Sequence, residues 1–94
     1  MVNHGFEWDN KKAAANLAKH GVSFDKAREV FKDPFAVERL DDRADYGEQR
    51  LIIIGMVDGR LLFVTYTMRG GNIRIISAPG AEPCEQRQYH EDQK

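Results

Sequence analysis

The sequence predicts an α+β domain: two N-terminal helices packed on an antiparallel β-meander sheet, with a closing C-terminal helix. Three observations carry this. Between Asn10 and Phe31 apolar residues recur at three- and four-residue intervals, the period of an amphipathic helix. From Phe35 the period changes to two, and Asp58-Gly59 and Gly70-Gly71 punctuate it as hairpin turns. Pro79-Gly80 then breaks the last strand, and Pro83 suits the first turn of another helix. The 94 residues make one domain, since single cores typically use roughly 50–200 residues.

The elements follow in order. Phe6-Glu7-Trp8 alternates apolar, polar, apolar and reads as a short strand. Asp9 is a good N-cap for an alanine-rich helix from Asn10 to His20, in which Ala14, Leu17 and Ala18 form a narrow stripe expected to face the core. Gly21 stands where a left-handed residue ends a helix. Ser23 caps a second helix with Phe24, Ala27 and Phe31 on one face, and Asp33-Pro34 stops it, because the residue before proline is pushed out of helical geometry. Phe35 to Leu40 is a plausible strand, followed by a polar loop. Arg50 to Val57 is the next, and its unbroken Leu51-Ile52-Ile53-Ile54 suits burial on both faces, hence a central place in the sheet. Arg60 to Met68 and Asn72 to Ala78 complete the meander. The closing helix, from Pro83 to about Gln93, carries few apolar residues, chiefly Cys84 and Tyr89, so it is expected to dock loosely or to be completed by a partner.

Bulk properties narrow the function. Charged residues at 31% and apolar ones at 41% are ordinary for a globular chain, which excludes wholesale disorder. The single cysteine, Cys84, rules out an internal disulfide, and with no secretory signal at Met1-Val2-Asn3-His4 the expected location is cytoplasmic. The longest apolar run, Leu51 to Val57, is far short of the roughly 20 residues a bilayer needs, so no membrane role is expected. The net charge of −1 excludes nucleic-acid binding by overall charge, and any RNA contact must rest on a local patch.

Three constellations can carry chemistry. In the first helix Lys12, Asn16 and Lys19 lie at i, i+4, i+7 on the side opposite Ala14, Leu17 and Ala18, with His20 just off the row. Two cations and an amide can hold phosphates; the same row is also what a solvated helix face looks like. From Arg60 to Arg74 there are three arginines, Arg60, Arg69 and Arg74, with Tyr66 among them and no acidic residue. Arginines with an aromatic ring on a sheet can bind an RNA strand by phosphate contacts and base stacking, or simply keep the sheet soluble. Arg74 differs from the other two in sitting inside an otherwise apolar strand. Glu48 and Arg50, two apart, point to one face of a strand. They can serve as general base and phosphate clamp, or as an ion pair worth under about 1 kcal/mol. His4, His20 and His90 are widely separated, with no cysteine cluster, so no metal site is expected.

Ordered segments along the chain resemble the BrnT toxin family, which is similar in fold to the RelE-like ribonucleases. They are Phe6-Glu7-Trp8-Asp9, Lys12 with Asn16, Lys19-His20-Gly21-Val22-Ser23-Phe24, Phe31-Lys32-Asp33-Pro34, Gly47-Glu48-Gln49-Arg50, Ile54-Gly55, Leu62-Phe63-Val64 and Ile73-Arg74-Ile75-Ile76-Ser77-Ala78. The resemblance implies the toxin of a type II toxin–antitoxin system: an endoribonuclease without metal or cofactor that cleaves mRNA and inhibits translation. It also implies a cognate antitoxin, commonly with a ribbon-helix-helix part, through which the complex reaches operator DNA. Together with polarity and face, it nominates Lys12, Lys19 and Arg74 as phosphate binders and Glu48 or His20 for proton transfer. Arg50 would orient Glu48 or take a phosphate, and Asn16, Arg60, Tyr66 and Arg69 would lie along the RNA. After Ser77-Ala78 such proteins usually carry arginine or lysine and a basic run leading to a tyrosine. This chain has Pro79-Gly80-Ala81-Glu82-Pro83 before Tyr89. The departure implies a weak or inactive nuclease, and the alternative to an RNA-cleaving toxin is an antitoxin-binding module acting as co-repressor in a DNA-bound complex.

Overall fold

The computed structural model describes residues 5–43 and 45–91. Strand β1 (Phe6–Trp8) leads into helix α1 (Asn10–His20), a short α2 (Phe24–Ala27) and a 3-10 turn (Arg28–Lys32). Then come β2 (Val37–Leu40), β3 (Leu51–Val57), β4 (Arg60–Arg69), β5 (Asn72–Ser77) and α3 (Pro83–Glu91). The expected reach of α3 to Gln93 lies outside the described residues. The five strands form one sheet in the order β1-β5-β4-β3-β2.

Strands β2 to β5 form the expected antiparallel meander. Asp58 and Gly59 turn β3 into β4 with φ of 50° and 79°, the doubly positive geometry that matches strand twist. The sheet as a whole is mixed, however, because β1 pairs with β5 in parallel, Phe6 opposite Ile73 and Trp8 opposite Ile75. The helical segment carries the chain from the β1 edge to the β2 edge, and three hairpin reversals then bring β5 back pointing the same way as β1. The second helix is shorter than its apolar pattern suggested: after one α-helical turn it tightens into the 3-10 turn. That turn lies hard against β3, where a Cβ on Gly55 would stand 2.5 Å from Val30 Cγ2.

The largest correction concerns α1. Its ends are as expected: Asp9 accepts from the Lys11 N–H, and Gly21, at φ 70°, donates to the Leu17 carbonyl at 2.9 Å. Yet Ala14, Leu17 and Ala18 are exposed, Leu17 to 52%. The face turned inward carries Ala13, Asn16 and His20 instead. Asn16 decides the rotation. Its amide nitrogen donates to the Val22 and Ala78 carbonyls, both at 3.0 Å, and its oxygen accepts from the Ala78 N–H at 3.0 Å. Together these three bonds to otherwise stranded backbone offset the area that Ala14, Leu17 and Ala18 would bury by turning inward.

The core has two halves. Phe24, Ala27, Val30, Ile53, Val64 and Ile75 pack beneath the N-terminal helical segment. Ile52, Ile54 and Phe63 pack beneath α3, against its Tyr89, so β3 is covered on both faces as its apolar run predicted. Helix α3 is firmly fastened, against the expectation of loose docking. The Tyr89 hydroxyl donates to Asp33 Oδ2 at 2.7 Å, and the same carboxylate accepts from the Met56 and Phe35 N–H groups at 2.8 and 2.9 Å. Ahead of α3, the 79–81 segment is zipped onto the start of β4 by Phe63 N–H to Pro79 O and Ala81 N–H to Leu61 O, both 2.9 Å. Among the described residues no helix is long and apolar enough to cross a membrane.

Candidate functional site

The polar residues singled out in the sequence fall into two groups at opposite ends of β4. At its C-terminal end the Arg50 Nε lies 3.3 Å from Glu48 Oε2, and Arg69 Nη2 lies 3.6 Å from Glu48 Oε1. The Arg50 guanidinium also stacks on the Tyr46 ring, 4.0 Å from its centroid. Arg74 pairs with Glu7, Nη1 to Oε2 at 2.7 Å. The hydrogen bond from Arg74, helped by Asn72 and the more distant charge of Arg69, holds the Glu7 carboxyl below the usual range. Glu7 had no signal in the sequence: the parallel pairing of β1 with β5 places it opposite Arg74. Each of these three arginines already has a carboxylate beside it.

The other group lies where α1 ends, β4 begins and α3 passes over. His20 and Arg60 line a cavity of about 610 Å³ together with Leu61, Glu82, Gln86 and His90. Arg60 Nη1 donates to the His20 carbonyl at 3.3 Å. Its guanidinium lies across Gly80, where a Cβ would stand 2.7 Å from Arg60 Nη2. Lys12, Lys19 and His20 also line a shallower hollow of about 200 Å³ beside Ile76 and Ser77. His20 lines both. The separation of His20 and His90 in sequence concealed that they line one cavity. It is Tyr89, buried and hydrogen-bonded, that fixes this turn of α3, with the His90 ring edge-on to it at 5.4 Å.

Two candidates leave the site altogether. Asn16 is only 7% exposed, and both of its amide hydrogens are committed to backbone carbonyls, leaving none for a phosphate. Tyr66 is 5% exposed, its ring edge-on to Phe31 at 5.0 Å and its hydroxyl bonded to Glu38. Burial, and then that carboxylate, push the Tyr66 hydroxyl well above its ordinary pKa. An enclosed ring offers no face to a base.

Distance separates the two groups. Strand β4 runs ten residues from Arg60 to Arg69, about 30 Å at ~3.3 Å per residue. Arg74 pairs in register with Thr67, about 23 Å along the strand from Arg60 by the same rise. One reacting phosphate cannot touch both ends. The cavity is lined by His20 and Arg60, whereas Glu48, Arg50, Arg69 and Arg74 do not line it; Lys12, Lys19 and His20 line the smaller hollow beside Ile76, two residues along β5 from Arg74.

Residue types of this kind, imidazole, guanidinium and ammonium, are those used in phosphodiester chemistry. Among the described residues no group of three or more His, Cys, Asp or Glu side chains is arranged to hold a metal ion. The fold is a small α+β domain with a five-stranded mixed sheet. Residues 8–85 match the family described as ribonuclease toxin, BrnT, of type II toxin-antitoxin system, and the chain belongs to that family. No curated protein matches the chain.

Proposed function

We propose that this chain is an RNA-cleaving toxin that works at the His20–Arg60–His90 cavity, without metal or cofactor, and is neutralised by a cognate antitoxin. The observation that carries the reading is that His20, His90 and Arg60 line one cavity. One imidazole takes the proton of a ribose 2′-hydroxyl. The 2′-oxygen then bonds to phosphorus while the bond from phosphorus to the 5′-oxygen breaks, and the other imidazole, as its imidazolium, gives that oxygen a proton. The products are a 2′,3′-cyclic phosphate and a free 5′-hydroxyl. Arg60 holds the non-bridging oxygens as charge builds on them, and Lys12 and Lys19 draw the RNA strand toward the cavity. Arg69, at the far end of β4, and Arg74, on the neighbouring β5, are placed to touch RNA away from the cut. Cleavage of mRNA in the cytoplasm, with arrest of translation, follows from this chemistry. An antitoxin with a ribbon-helix-helix part would carry the pair to operator DNA.

Pro79 and Gly80 supply no cation, and Arg60 lying across Gly80 is the guanidinium that serves the segment. Cleavage is accordingly expected to be slow. A second reading, a non-cleaving co-repressor subunit, is favoured by Glu82, whose carboxylate shares the cavity with those two residues. The test is purified protein with a short defined RNA in the presence of EDTA, analysed for end groups. Cyclic phosphate termini that disappear in Arg60→Ala support the toxin; intact RNA at every protein concentration selects the co-repressor.

A further inference from the structure

Helix α1 turns its polar amide inward and its apolar stripe outward, which is the reverse of what a helix on a sheet ordinarily does. The exposed stripe of Ala14, Leu17 and Ala18 continues into a groove of about 370 Å³ in which Leu17, Val22, Val57 and Leu62 meet Lys26, Asp58 and Arg60. Lys26 and Asp58 pair with each other across the rim, whereas among the described residues no carboxylate pairs with Arg60. At the stripe's other end stands Lys11, three residues before Ala14 and seven before Ala18, on the same helical face. The helix carries three lysines and no acidic residue, in a chain whose net charge is −1. An apolar strip with a cation at each end calls for a ligand of opposite pattern.

We propose that this strip is the docking surface for the neutralising partner, and that the segment it takes is an amphipathic helix with acidic residues at both ends. The inference rests on the toxin reading above and names where and how the partner binds. Lys11 to Gly21 spans about 15 Å of helix, so roughly three turns of partner lie along it. Its apolar side chains cover Ala14 and Ala18 and enter the groove beside Leu17 and Val57. One terminal carboxylate meets Lys11 and the other meets Arg60. Arg60 lines this groove and the cavity of His20 and His90 alike. A carboxylate drawn to it from the groove side thus removes the phosphate clamp without entering the cavity.

The experiment uses the full chain, co-expressed with the product of each of the two reading frames that flank its gene, and measures complex formation and its Kd. One product is expected to bind the wild type, more weakly as sodium chloride is raised. Leu17→Asp, and separately Ala14→Glu, are expected to weaken binding at least tenfold while RNA cleavage by the free chain is unchanged. Both positions are exposed, so folding is preserved, and unchanged thermal melting verifies it. Binding of Leu17→Asp and Ala14→Glu as tight as wild type, or no complex with either product, overturns the proposal. A complex sensitive to Leu17→Asp in a chain that cuts no RNA leaves the docking surface standing and defeats the nuclease reading.

Discussion

Tyr89 and Asp33, 56 positions apart, share a 2.7 Å hydrogen bond that fixes the C-terminal helix to the end of the 3-10 turn. Because the same carboxylate also accepts from the β3 backbone at Met56, one side chain ties three elements. Removing the tyrosine hydroxyl, Tyr89→Phe, is expected to cost about 1 kcal/mol, and Asp33→Ala about 2–3 kcal/mol, since it strands several donors at once. Urea unfolding midpoints at constant m-value measure both.

Acid should loosen the fold through Asp41 and Asp33. The Arg43 guanidinium beside Asp41, closing at 2.7 Å onto a fully buried carboxylate, holds that carboxyl at about 2 against an ordinary 3.8. At Asp33 burial pushes the carboxyl up, but the Met56 and Phe35 N–H groups and the Tyr89 hydroxyl outweigh it, and the net direction is down. A carboxyl lowered by folding contributes stability that is complete above its unfolded value and is lost as pH falls through its folded one. Stability should therefore be flat above about pH 5 and fall between about pH 4 and 2. Asp41→Asn should lower the plateau and flatten that fall, as read by urea titrations across the range.

The Arg60 guanidinium and Gly80 compete for one space. Gly80→Ala places a Cβ 2.7 Å from Arg60 Nη2, and the long side chain will swing away at small cost in stability. RNA cleavage is expected to fall about tenfold in Gly80→Ala and about 10²–10³-fold in Arg60→Ala, the range for losing one oxyanion-stabilising donor. Single-turnover cleavage of a short RNA checks the ratio.

Loss of either imidazole should cost more than loss of the distant carboxylate. His20→Ala and His90→Ala are each expected to reduce cleavage about 10²–10⁴-fold, the usual contribution of a general acid or base. Glu48→Gln, at the other end of β4, should change it less than about threefold on the same scale. Equal losses at His20 and Glu48 would mean that the centre does not lie in the cavity.

Asn16 is a clamp. Asn16→Ala leaves the Val22 and Ala78 carbonyls and the Ala78 N–H without partners in a buried place. The expected loss is about 3 kcal/mol, visible as a lower thermal midpoint with no change in helix content below it.

What the sequence disclosed divides by range. The strand run Leu51 to Ile54, the Asp58-Gly59 turn and the Asp9 and Gly21 caps were all legible, because each is written in neighbouring residues. The rotation of α1 was not. Its apolar stripe and its polar row agreed on an orientation that the structure reverses at Asn16, and the arbiter, the backbone of Ala78, is 62 positions away. The pairing of Glu7 with Arg74 needed the parallel strand, and the placing of His90 on the cavity of His20 needed the anchor at Tyr89. The Glu48–Arg50 pair was legible as a pair, but its remoteness from Arg60 emerges only when β4 is laid out at full length.

Joining β1 to β5 has a consequence for how the toxin comes into being. During synthesis the first strand has no neighbour until residues 72–77 have left the ribosome, and α1 cannot lock until Ala78 follows. Contacts this far apart in the chain form late. A nascent or truncated product ending before that point lacks both the closed sheet and the walls that His90 and Gly80 give the cavity, so the cavity is complete only once the segment through His90 has been made.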